Sequence, residues 1–297
     1  MLSALGWKIT RAYIWRSPGI WTAQLLRAML STMDEQFQAQ LDAAAKFEEH
    51  FVPALFQQFT DVVTEAAHVQ PGQRVLDVGC RTGYLAREAR LKVEKSGSVL
   101  GVDSNAAMLA VASRITPDVE FRMASAEALP FEDASFDAVM NQFGLAYLND
   151  RNAAVLEMKR VLKKGGSLAV AAWEGLENVP AYMILIALLQ YLVGKRAADV
   201  LRLPFSLGNP EDLRRLFTQA GMDVEITAHQ GTARHPSVRA WVLTDVKAWF
   251  PLVDVVLKKE EYDALIVEAE HALHAFVQPN GTVVFPIGIH VATWVKP

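Results

Sequence analysis

The sequence predicts an α/β fold in which parallel strands alternate with helices. The first observation is the segment 74–86, where an apolar run typical of a buried parallel strand ends at Gly79 and a helical pattern resumes at Tyr84. A second apolar strand, Ser98–Asp103, again leads into a helical pattern. Finally, 52% hydrophobic residues over a length of 297 suffice to bury a full α/β core as one domain.

Charge and cysteine content narrow the class of protein. The 29 basic and 33 acidic residues give a net charge of −4, which provides no electrostatic footprint for nucleic acid. The single cysteine of the sequence, Cys80, cannot form an internal disulfide and suits a reducing compartment, so we expect a cytoplasmic enzyme. Cys80 is expected to be a small apolar filler rather than a reactive thiol.

The turn after the first strand predicts a nucleotide-like ligand. Glycine lets backbone N–H groups approach a ligand closely, and open α/β sheets bind ligands beyond the carboxyl ends of their strands. The spacing fits neither a dinucleotide fingerprint nor a P-loop, because three residues separate the glycines and no Lys-Ser or Lys-Thr follows. It resembles the D-x-G-x-G-x-G loop of class I S-adenosylmethionine-dependent methyltransferases, with Asp77, Gly79 and Gly83 matching and Arg81 in place of the middle glycine.

The end of the second strand supports this resemblance. Asp103 lies about twenty residues after the loop, a position from which a carboxylate accepts bonds from both ribose hydroxyls. Alternatively, Asp103 caps the helix that starts near Asn105, although Ser104 or Asn105 could serve as the cap instead. We favour the ribose interpretation.

The stretch EALPFEDASFDAV is similar to the family's segment between strands 3 and 4, whose turn holds the adenine. A third strand with its turn is expected over 119–127. The end of the fourth strand, by resemblance, lies beside the methionine part of the cofactor, and its sequence Asn-Gln-Phe-Gly differs from the N-P-P-Y type motif of enzymes that methylate nucleic-acid bases. The resemblance implies a cofactor-binding set of Asp77, Gly79, Cys80, Arg81, Gly83, Asp103, Ser104, Met108, Ser125, Ala126, Glu127, Asn141 and Gln142.

Arg81 is the departure from the family pattern, and two outcomes are open. With φ < 0, its side chain can leave the cleft, or its guanidinium can pair with the cofactor's carboxylate. With φ > 0, strain on the order of 1 kcal/mol accompanies a side chain that obstructs the site. Because the other loop residues match, we expect the first outcome.

The family resemblance covers about residues 73–175 and implies a Rossmann-like sheet of seven strands in the order 3-2-1-4-5-7-6, with helices on both faces. Residues 151–163 are expected to form a helix that Gly165 and Gly166 terminate before a fifth strand. Residues 222–228 are expected to form strand 6, and 282–295 the last strand.

The N-terminal residues 1–33 are basic and rich in aromatic side chains. This composition is typical of interfacial helices and some targeting peptides, but short helices packed on the core, or residues upstream of a later start, are the favoured interpretation. The methyltransferase domain is expected to span 34–297, beginning with a helical pattern over 34–68. In the family such a segment commonly folds over the cofactor cleft, which makes Phe47, His50 and Phe51 candidate lid residues.

Two segments, 176–207 and 237–278, are additions to the minimal fold and are expected to form a helical cap over the acceptor. The segment 179–193 is too apolar for a solvated helix and too short to span a bilayer. A pocket lined by aromatic and apolar cap residues suits a hydrophobic or aromatic small molecule, although ordinary core packing would also explain any single member. The expected lining is Tyr182, Met183, Trp241, Trp249 and Phe250.

The sequence names no catalytic residue, because transfer from an activated sulfonium needs alignment of the nucleophile more than a base. Four histidines, His229, His235, His271 and His274, lie in the C-terminal part; one could accept a proton, and the last two share a helix face at metal-ligand spacing. Surface or packing roles are favoured, and we expect no metal.

The function expected from the resemblance is transfer of a methyl group from S-adenosylmethionine to the oxygen or carbon of a small, apolar or aromatic acceptor. Two alternatives stay open. One is an S-adenosylmethionine-binding protein that has lost catalysis. The other is a lipid or quinone methyltransferase held weakly at a membrane surface by residues 1–33.

Overall fold

The alternating pattern folds into one mixed sheet in this computed structural model, which describes residues 23–253 and 255–297. The strands lie in the order β3-β2-β1-β4-β5-β7-β6, which confirms the expected topology. Strands β1 to β5 are parallel, and β7 runs antiparallel to both of its neighbours. The strand bounds are β1 Arg74–Val78, β2 Ser98–Asp103, β3 Glu120–Met123, β4 Phe136–Gln142, β5 Leu162–Trp173, β6 Glu225–His235 and β7 Val283–Val295.

Helices cover both faces of this sheet. The α-helices are α1 Ala23–Lys46, α2 Thr60–Ala66, α3 Tyr84–Val93, α4 Ala106–Ile115, α5 Arg151–Val161, α6 Pro180–Leu192, α7 Lys195–Arg202, α8 Pro210–Gln219, α9 Val238–Thr244 and α10 Lys259–Ala272. Two π-helices, Phe47–Phe56 and Asp245–Trp249, continue α1 and α9 without a break in the chain. Short 3₁₀ turns occur at Gln57–Phe59, Leu145–Tyr147, Leu176–Asn178, Leu203–Phe205, Phe250–Val253 and His274–Phe276.

Polar side chains start several of these helices. The Asn105 side chain accepts hydrogen bonds from the first turn of α4, and Asp150, Asn209 and Ser237 do the same for α5, α8 and α9. Each such cap satisfies backbone N–H groups that would otherwise lack a partner. The helical prediction for 34–68 is confirmed in outline, and residues 1–22 of the N-terminal arm lie outside the described residues.

Two sequence-based boundaries are wrong. The helix α5 ends at Val161, because Leu162 is fully buried and pairs at once with Phe136 of β4. Gly165 and Gly166 therefore belong to a bulge within β5 and do not cap the helix; Gly165 has a φ of +75°, which lets the bulge turn.

The sixth strand is the second difference. It covers Glu225–His235 instead of 222–228, because it pairs with almost the whole length of β7. The last strand, Val283–Val295, lies where the pattern predicted it.

The sheet separates two hydrophobic cores. One lies between the sheet and the helices α5 and α8, and includes Leu76, Val139 and Phe217. The other lies on the opposite face and joins the sheet to α3, to the first π-helix and to helices of both added segments. Burial of each large apolar side chain contributes roughly 1.5 to 3 kcal/mol, so these helices are fixed firmly against the strand ends. Among the described residues, no helix is both long and apolar enough to cross a membrane.

Candidate active site

The loop between β1 and α3 lies against the carboxyl ends of β1 and β2. The N–H groups of Gly79 and Cys80 both donate to the carbonyl of Val102, at 2.8 and 2.9 Å. Gly79 and Gly83 have φ angles of +70° and +80°. A Cβ atom at position 83 would come within 2.7 Å of the Phe121 ring, so the turn requires glycine there for both conformation and space.

Asp103 ends β2 beside this loop. Its carboxylate accepts hydrogen bonds from the N–H of Arg81 at 3.0 Å and of Asn105 at 2.8 Å. The cap of α4 is Asn105, whose side chain accepts from the N–H groups of Ala107 and Met108, so Asp103 does not serve as the cap. Burial raises the pKa of Asp103, and the two N–H donors oppose that rise. Met108, in the first turn of α4, is buried, and Ser104 is exposed.

The turn after β3 lies next to Asp103, because Met123 pairs with it in the sheet. Ser125 is exposed, and its Oγ accepts the N–H of Glu127 at 3.2 Å. The Glu127 side chain accepts a hydrogen bond from the N–H of Asp150 at 2.8 Å. Ala126, between Ser125 and Glu127, is partly buried. The residues expected around adenine thus form one local, hydrogen-bonded turn.

Asn141 and Gln142 connect the end of β4 to its surroundings. The Asn141 amide donates to the carbonyl of Val78 at 2.7 Å and accepts from the N–H groups of the following turn. The Gln142 amide donates to the carbonyl of Phe56 at 2.9 Å, which ties the first π-helix to the sheet. Both residues are about 1% exposed, so they support the backbone around the cleft and do not form its exposed surface.

The expectation of a negative φ at Arg81 is wrong, and the side chain does not leave the loop region. Its φ is +51°, and the side chain is only 6% exposed. Asp103 holds its N–H, so the loop curves as it would with glycine and directs the side chain inward. The guanidinium donates to the carbonyl of Phe143 at 3.2 Å, and its Nη1 has no hydrogen-bond partner among the described residues.

Four aromatic rings surround the Arg81 guanidinium. Its central carbon lies between 5.1 and 5.8 Å from the ring centroids of Phe47, Phe56, Tyr147 and Trp249. Desolvated cation–π contacts of this kind contribute about 2 kcal/mol each, which offsets strain of about 1 kcal/mol in the backbone. Phe143, which accepts the bond, is itself a buried residue with a φ of +63°. Two unusual backbone conformations are therefore joined by one hydrogen bond.

Asp77 supplies an unpartnered acceptor in the same loop. It is 1% exposed, and its Oδ2 has no hydrogen-bond partner within the described part of the chain. Burial, reinforced by the nearby Asp103, raises the pKa of Asp77 to about 8, although the N–H of Ala86 and the charge of Arg81 lower it. Burial also raises the pKa of the Cys80 thiol well above its usual value, so Cys80 is neutral and fills space against Gly101.

An apolar pocket, here called the aromatic pocket, lies beyond the rings that surround Arg81. It contains about 420 Å³ of space, part of it open to solvent, between side chains from the first π-helix, the strand ends and both added segments. Its lining is Phe47, Phe51, Leu55, Phe56, Tyr147, Trp173, Tyr182, Leu201, Pro204, Phe205, Asp245, Trp249 and Ile287. Of the four aromatic residues at Arg81, Trp249 was expected in the pocket and Phe47 in a lid. Phe56 and Tyr147 were not expected at the site.

The structure divides the expected pocket residues into two groups. Tyr182 and Trp249 line the aromatic pocket as expected. Met183 does not, because it lies on the outer side of α6 and is 47% exposed. Trp241 and Phe250 are fully buried in the core and are absent from the lining. Of the candidate lid residues, Phe47 and Phe51 line the pocket and His50 is exposed.

Asp245 is the pocket residue that sequence reasoning missed. It is 2% exposed, and its Oδ2 has no partner among the described residues. Burial raises its pKa well above the usual value; the Trp241 indole N–H opposes this rise but makes no hydrogen bond of normal geometry. The signal in the sequence was a lone carboxylate placed four residues after Trp241 and four before Trp249.

The histidines do not approach the loop. His235 is buried and stacks on Trp241 with ring centroids 5.2 Å apart, and burial lowers its pKa to about 3. His229 lies 2.9 Å from the hydroxyl of Thr227, and His271 and His274 are exposed. His235 is thus a packing residue. Across residues 23–253 and 255–297, no three His, Cys, Asp or Glu side chains are arranged to hold a metal ion.

Comparison with known proteins identifies the family to which the chain belongs. Residues 76–170 match the family described as methyltransferase domain, and 19–122 match that described as protein-L-isoaspartate(D-aspartate) O-methyltransferase. A ubiquinone/menaquinone biosynthesis C-methyltransferase, UbiE, from Pseudomonas paraeruginosa is 34% identical over 194 residues, which are 60% of this chain and 74% of that protein. The chain belongs to the class I S-adenosylmethionine-dependent methyltransferases. Its cofactor is S-adenosylmethionine.

Other relatives of this methyltransferase match a shorter segment. A demethylmenaquinone methyltransferase from Renibacterium salmoninarum is 43% identical over 110 residues, or 37% of this chain and 45% of that protein. The chain thus spans about half the length of several curated relatives that it matches. Among solved structures, the YcgJ protein of Bacillus subtilis shares the fold, with a TM-score of 0.56 and 19% identity over 81% of this chain and 99% of that one.

The residues of the loop fit this cofactor. The hydroxyl of Thr82 lacks a partner among the described residues, and so do two buried ionisable groups of the loop, the carboxyl oxygen of Asp77 and the Nη1 of Arg81. These are complementary to the α-ammonium and α-carboxylate of an amino acid, and the half-exposed Asp103 carboxylate keeps lone pairs for hydroxyl donors. Arg81 thus adds a guanidinium where the family pattern has a glycine.

Proposed function

We propose that this methyltransferase transfers a methyl group to a planar aromatic small molecule that carries oxygen substituents, such as a hydroquinone, at a ring carbon or an oxygen. Bound S-adenosylmethionine supplies a methyl group on a sulfonium, which is already activated for displacement. The protein's task is then to align the acceptor and exclude water. The reaction would take place in the cytoplasm, which a chain with one buried free cysteine suits.

The observation that carries this proposal is the position of the aromatic pocket. Phe47, Phe56, Tyr147 and Trp249 line the pocket and also contact Arg81 of the cofactor loop. An acceptor in the pocket would therefore be separated from the cofactor loop by one layer of side chains. Flat aromatic walls bind flat aromatic ligands through stacked and edge-to-face contacts.

The two added segments support a role as the acceptor cap. Tyr182, Leu201 and Phe205 come from the first added segment, and Asp245 and Trp249 from the second. Both segments therefore contribute to one pocket. The names of the quinone-methylating relatives favour a quinol among aromatic acceptors.

Methyl transfer from labelled S-adenosylmethionine tests the proposal. We expect transfer to 1,4-dihydroxynaphthalene and none to the saturated analogue 1,4-dihydroxydecalin, which has the same hydroxyl groups without the flat ring. Phosphoethanolamine serves as an amine acceptor of a different class. Transfer to phosphoethanolamine alone would overturn the proposal, and mass spectrometry with NMR would locate the methyl group at carbon or oxygen.

A second candidate is an S-adenosylmethionine-binding protein without catalysis. The observation that favours it is Arg81, whose buried side chain fills space between the loop and the aromatic pocket. Saturable binding of S-adenosylmethionine with no transfer to any acceptor would support this candidate. Membrane association through residues 1–33 is a separate question, which co-sedimentation with anionic vesicles would answer.

A further inference from the structure

The aromatic pocket contains one carboxyl group that its surroundings do not explain. Of the thirteen residues that line the pocket, twelve are aromatic or aliphatic and the remaining one is Asp245. A carboxyl group left without a partner in an apolar site costs about 1 to 3 kcal/mol, and more when it is charged. Buried polar groups are nearly always hydrogen-bonded, so an unpartnered carboxyl group in a pocket wall points to a partner from outside the protein.

The position of Asp245 on its helix directs it to the pocket. Asp245 and Trp249 are the first and last residues of the second π-helix and lie one turn apart. Both line the pocket, and both carry a buried polar atom that has no hydrogen-bond partner among the described residues, Oδ2 of Asp245 and Nε1 of Trp249. The pocket therefore has two buried, unsatisfied polar atoms on residues one helical turn apart, in a wall that is otherwise aromatic and aliphatic.

Charged and polar neighbours of Asp245 are few within the described residues. Two polar neighbours interact with Asp245. One is Tyr182, whose pKa the nearby carboxyl group helps to raise, and the other is Trp241, whose indole N–H opposes the rise in the pKa of Asp245. Burial raises the pKa of Asp245 well above its usual value, which favours the protonated form of the carboxyl group. A protonated carboxyl group both donates and accepts a hydrogen bond, which matches a neutral hydroxyl or carbonyl oxygen better than an anion.

We propose that Asp245 binds an oxygen substituent of the acceptor ring and thereby orients the ring in the aromatic pocket. This inference rests on the proposed function, because it assumes that the pocket holds an aromatic acceptor. It adds the residue that selects for oxygen on that ring. A cationic amine, which would ionise Asp245 and form an ion pair, is the competing class of ligand.

The test compares three probes that share one ring system: 1-naphthol, naphthalene and 1-naphthylmethylammonium. Binding to the full chain is followed by quenching of tryptophan fluorescence, since Trp173 and Trp249 line the pocket. Asp245→Leu removes the polar group at similar size, and Asp245→Asn keeps hydrogen bonding without the acid. Asp263→Asn, at an exposed ion pair on α10, is the matched control.

We expect the parent protein and Asp263→Asn to bind 1-naphthol about tenfold more tightly than naphthalene, the effect of one well-made hydrogen bond in an apolar site. In Asp245→Leu this ratio falls to about one while naphthalene binding is kept. In Asp245→Asn the ratio is intermediate, and this variant decides the question if the leucine variant does not fold.

Four results would overturn the inference. A naphthol-to-naphthalene ratio near one in the parent protein, or an unchanged ratio in Asp245→Leu, would remove Asp245 from acceptor binding while the aromatic pocket, and the proposed function, survive. Tightest binding of 1-naphthylmethylammonium would assign the carboxylate to an amine. Absence of binding by all three probes would reject the proposed function together with the inference.

Discussion

The cofactor loop and the aromatic pocket adjoin each other at one edge of the sheet, yet they are built differently. In the loop, the groups that shape the ligand site are backbone N–H groups, two glycines and Asp103, joined by hydrogen bonds of 2.8 to 3.0 Å. In the pocket they are side chains from segments far apart in the chain, from Phe47 to Ile287. A site made of backbone depends on local geometry, whereas a site made of side chains depends on packing.

The two regions therefore respond differently to substitution. Truncating a side chain of the aromatic pocket should lower the stability of the fold, because packing is lost. Truncating a side chain of the cofactor loop should weaken ligand binding and leave the fold intact. Arg81 is the residue where the regions meet, because its backbone belongs to the loop and its guanidinium to the aromatic rings. Four substitutions, in order of decreasing effect, test this difference.

Trp241→Ala should have the largest effect. Trp241 is fully buried and packs against His235, Tyr182 and Phe285 behind the pocket. Truncation should lower the free energy of unfolding by about 3 to 5 kcal/mol, measured by denaturant titration. Met183→Ala, on the exposed side of α6, is the control and should change it by less than about 0.5 kcal/mol. A loss below about 1 kcal/mol for Trp241→Ala would mean that this wall is not packed as a core.

Asp103→Ala should weaken S-adenosylmethionine binding by an order of magnitude or more. Charge-assisted hydrogen bonds to the ribose contribute roughly 1.5 to 3 kcal/mol each. Isothermal titration calorimetry measures the change, with Asp118→Ala as a control at a surface ion pair. Unchanged affinity in a folded Asp103→Ala protein would remove this residue from the cofactor site.

Asp77→Asn should alter how stability depends on pH. The pKa of Asp77 is raised from 3.8 to about 8 in the folded protein, so its contribution to stability is full below pH 4 and is lost as the pH rises through 8. We expect the melting temperature of the parent to fall between pH 5 and pH 8, and that of Asp77→Asn to fall less. Asp103 and Asp245, whose pKa values are also raised, add to this fall, whereas His235, whose pKa is lowered to about 3, opposes it up to about pH 6.5 in parent and variant alike.

Asp137→Asn is the control for this pH series. Partial burial raises the pKa of Asp137, but hydrogen bonds from Lys163 and from the N–H of Arg74 lower it more, so this pKa lies below its usual value. Its contribution is lost only as the pH falls through that lower value. The slope between pH 5 and pH 8 should therefore match that of the parent. An Asp77→Asn slope equal to the parent slope would show that Asp77 is ionised throughout this range.

Arg81→Gly should have the smallest effect. Loss of the guanidinium removes the proposed bond to the cofactor carboxylate of roughly 1.5 to 3 kcal/mol, while glycine gives the cofactor closer access to the loop and offsets part of that loss. The net result is binding weaker by about fivefold, or about 1 kcal/mol. Calorimetry with Arg81→Lys, which keeps the charge, completes the comparison. A large gain in affinity, with no measurable binding by the parent, would instead indicate that Arg81 obstructs the site.

Sequence reasoning succeeded where a feature is made within a few residues. The strands β1 and β2, the glycine turn and the position of Asp103 beside it follow from local hydrophobic patterns and spacing. Family resemblance added the sheet order, which the structure confirms. The N-cap at Asn105 was among the alternatives, and the hydrogen bonds to Ala107 and Met108 decided it.

Tertiary structure alone decided the features that join distant segments. The inward direction of Arg81 depends on rings from the first π-helix and from Trp249, and the end of α5 depends on pairing of Leu162 with a strand twenty-six residues earlier in the chain. Asp245 became a pocket residue only because α9 and its π-helix pack against α1 and the sheet. Hydrophobic and turn patterns record the local conformation of the backbone, but they do not record which side chains meet once the segments pack.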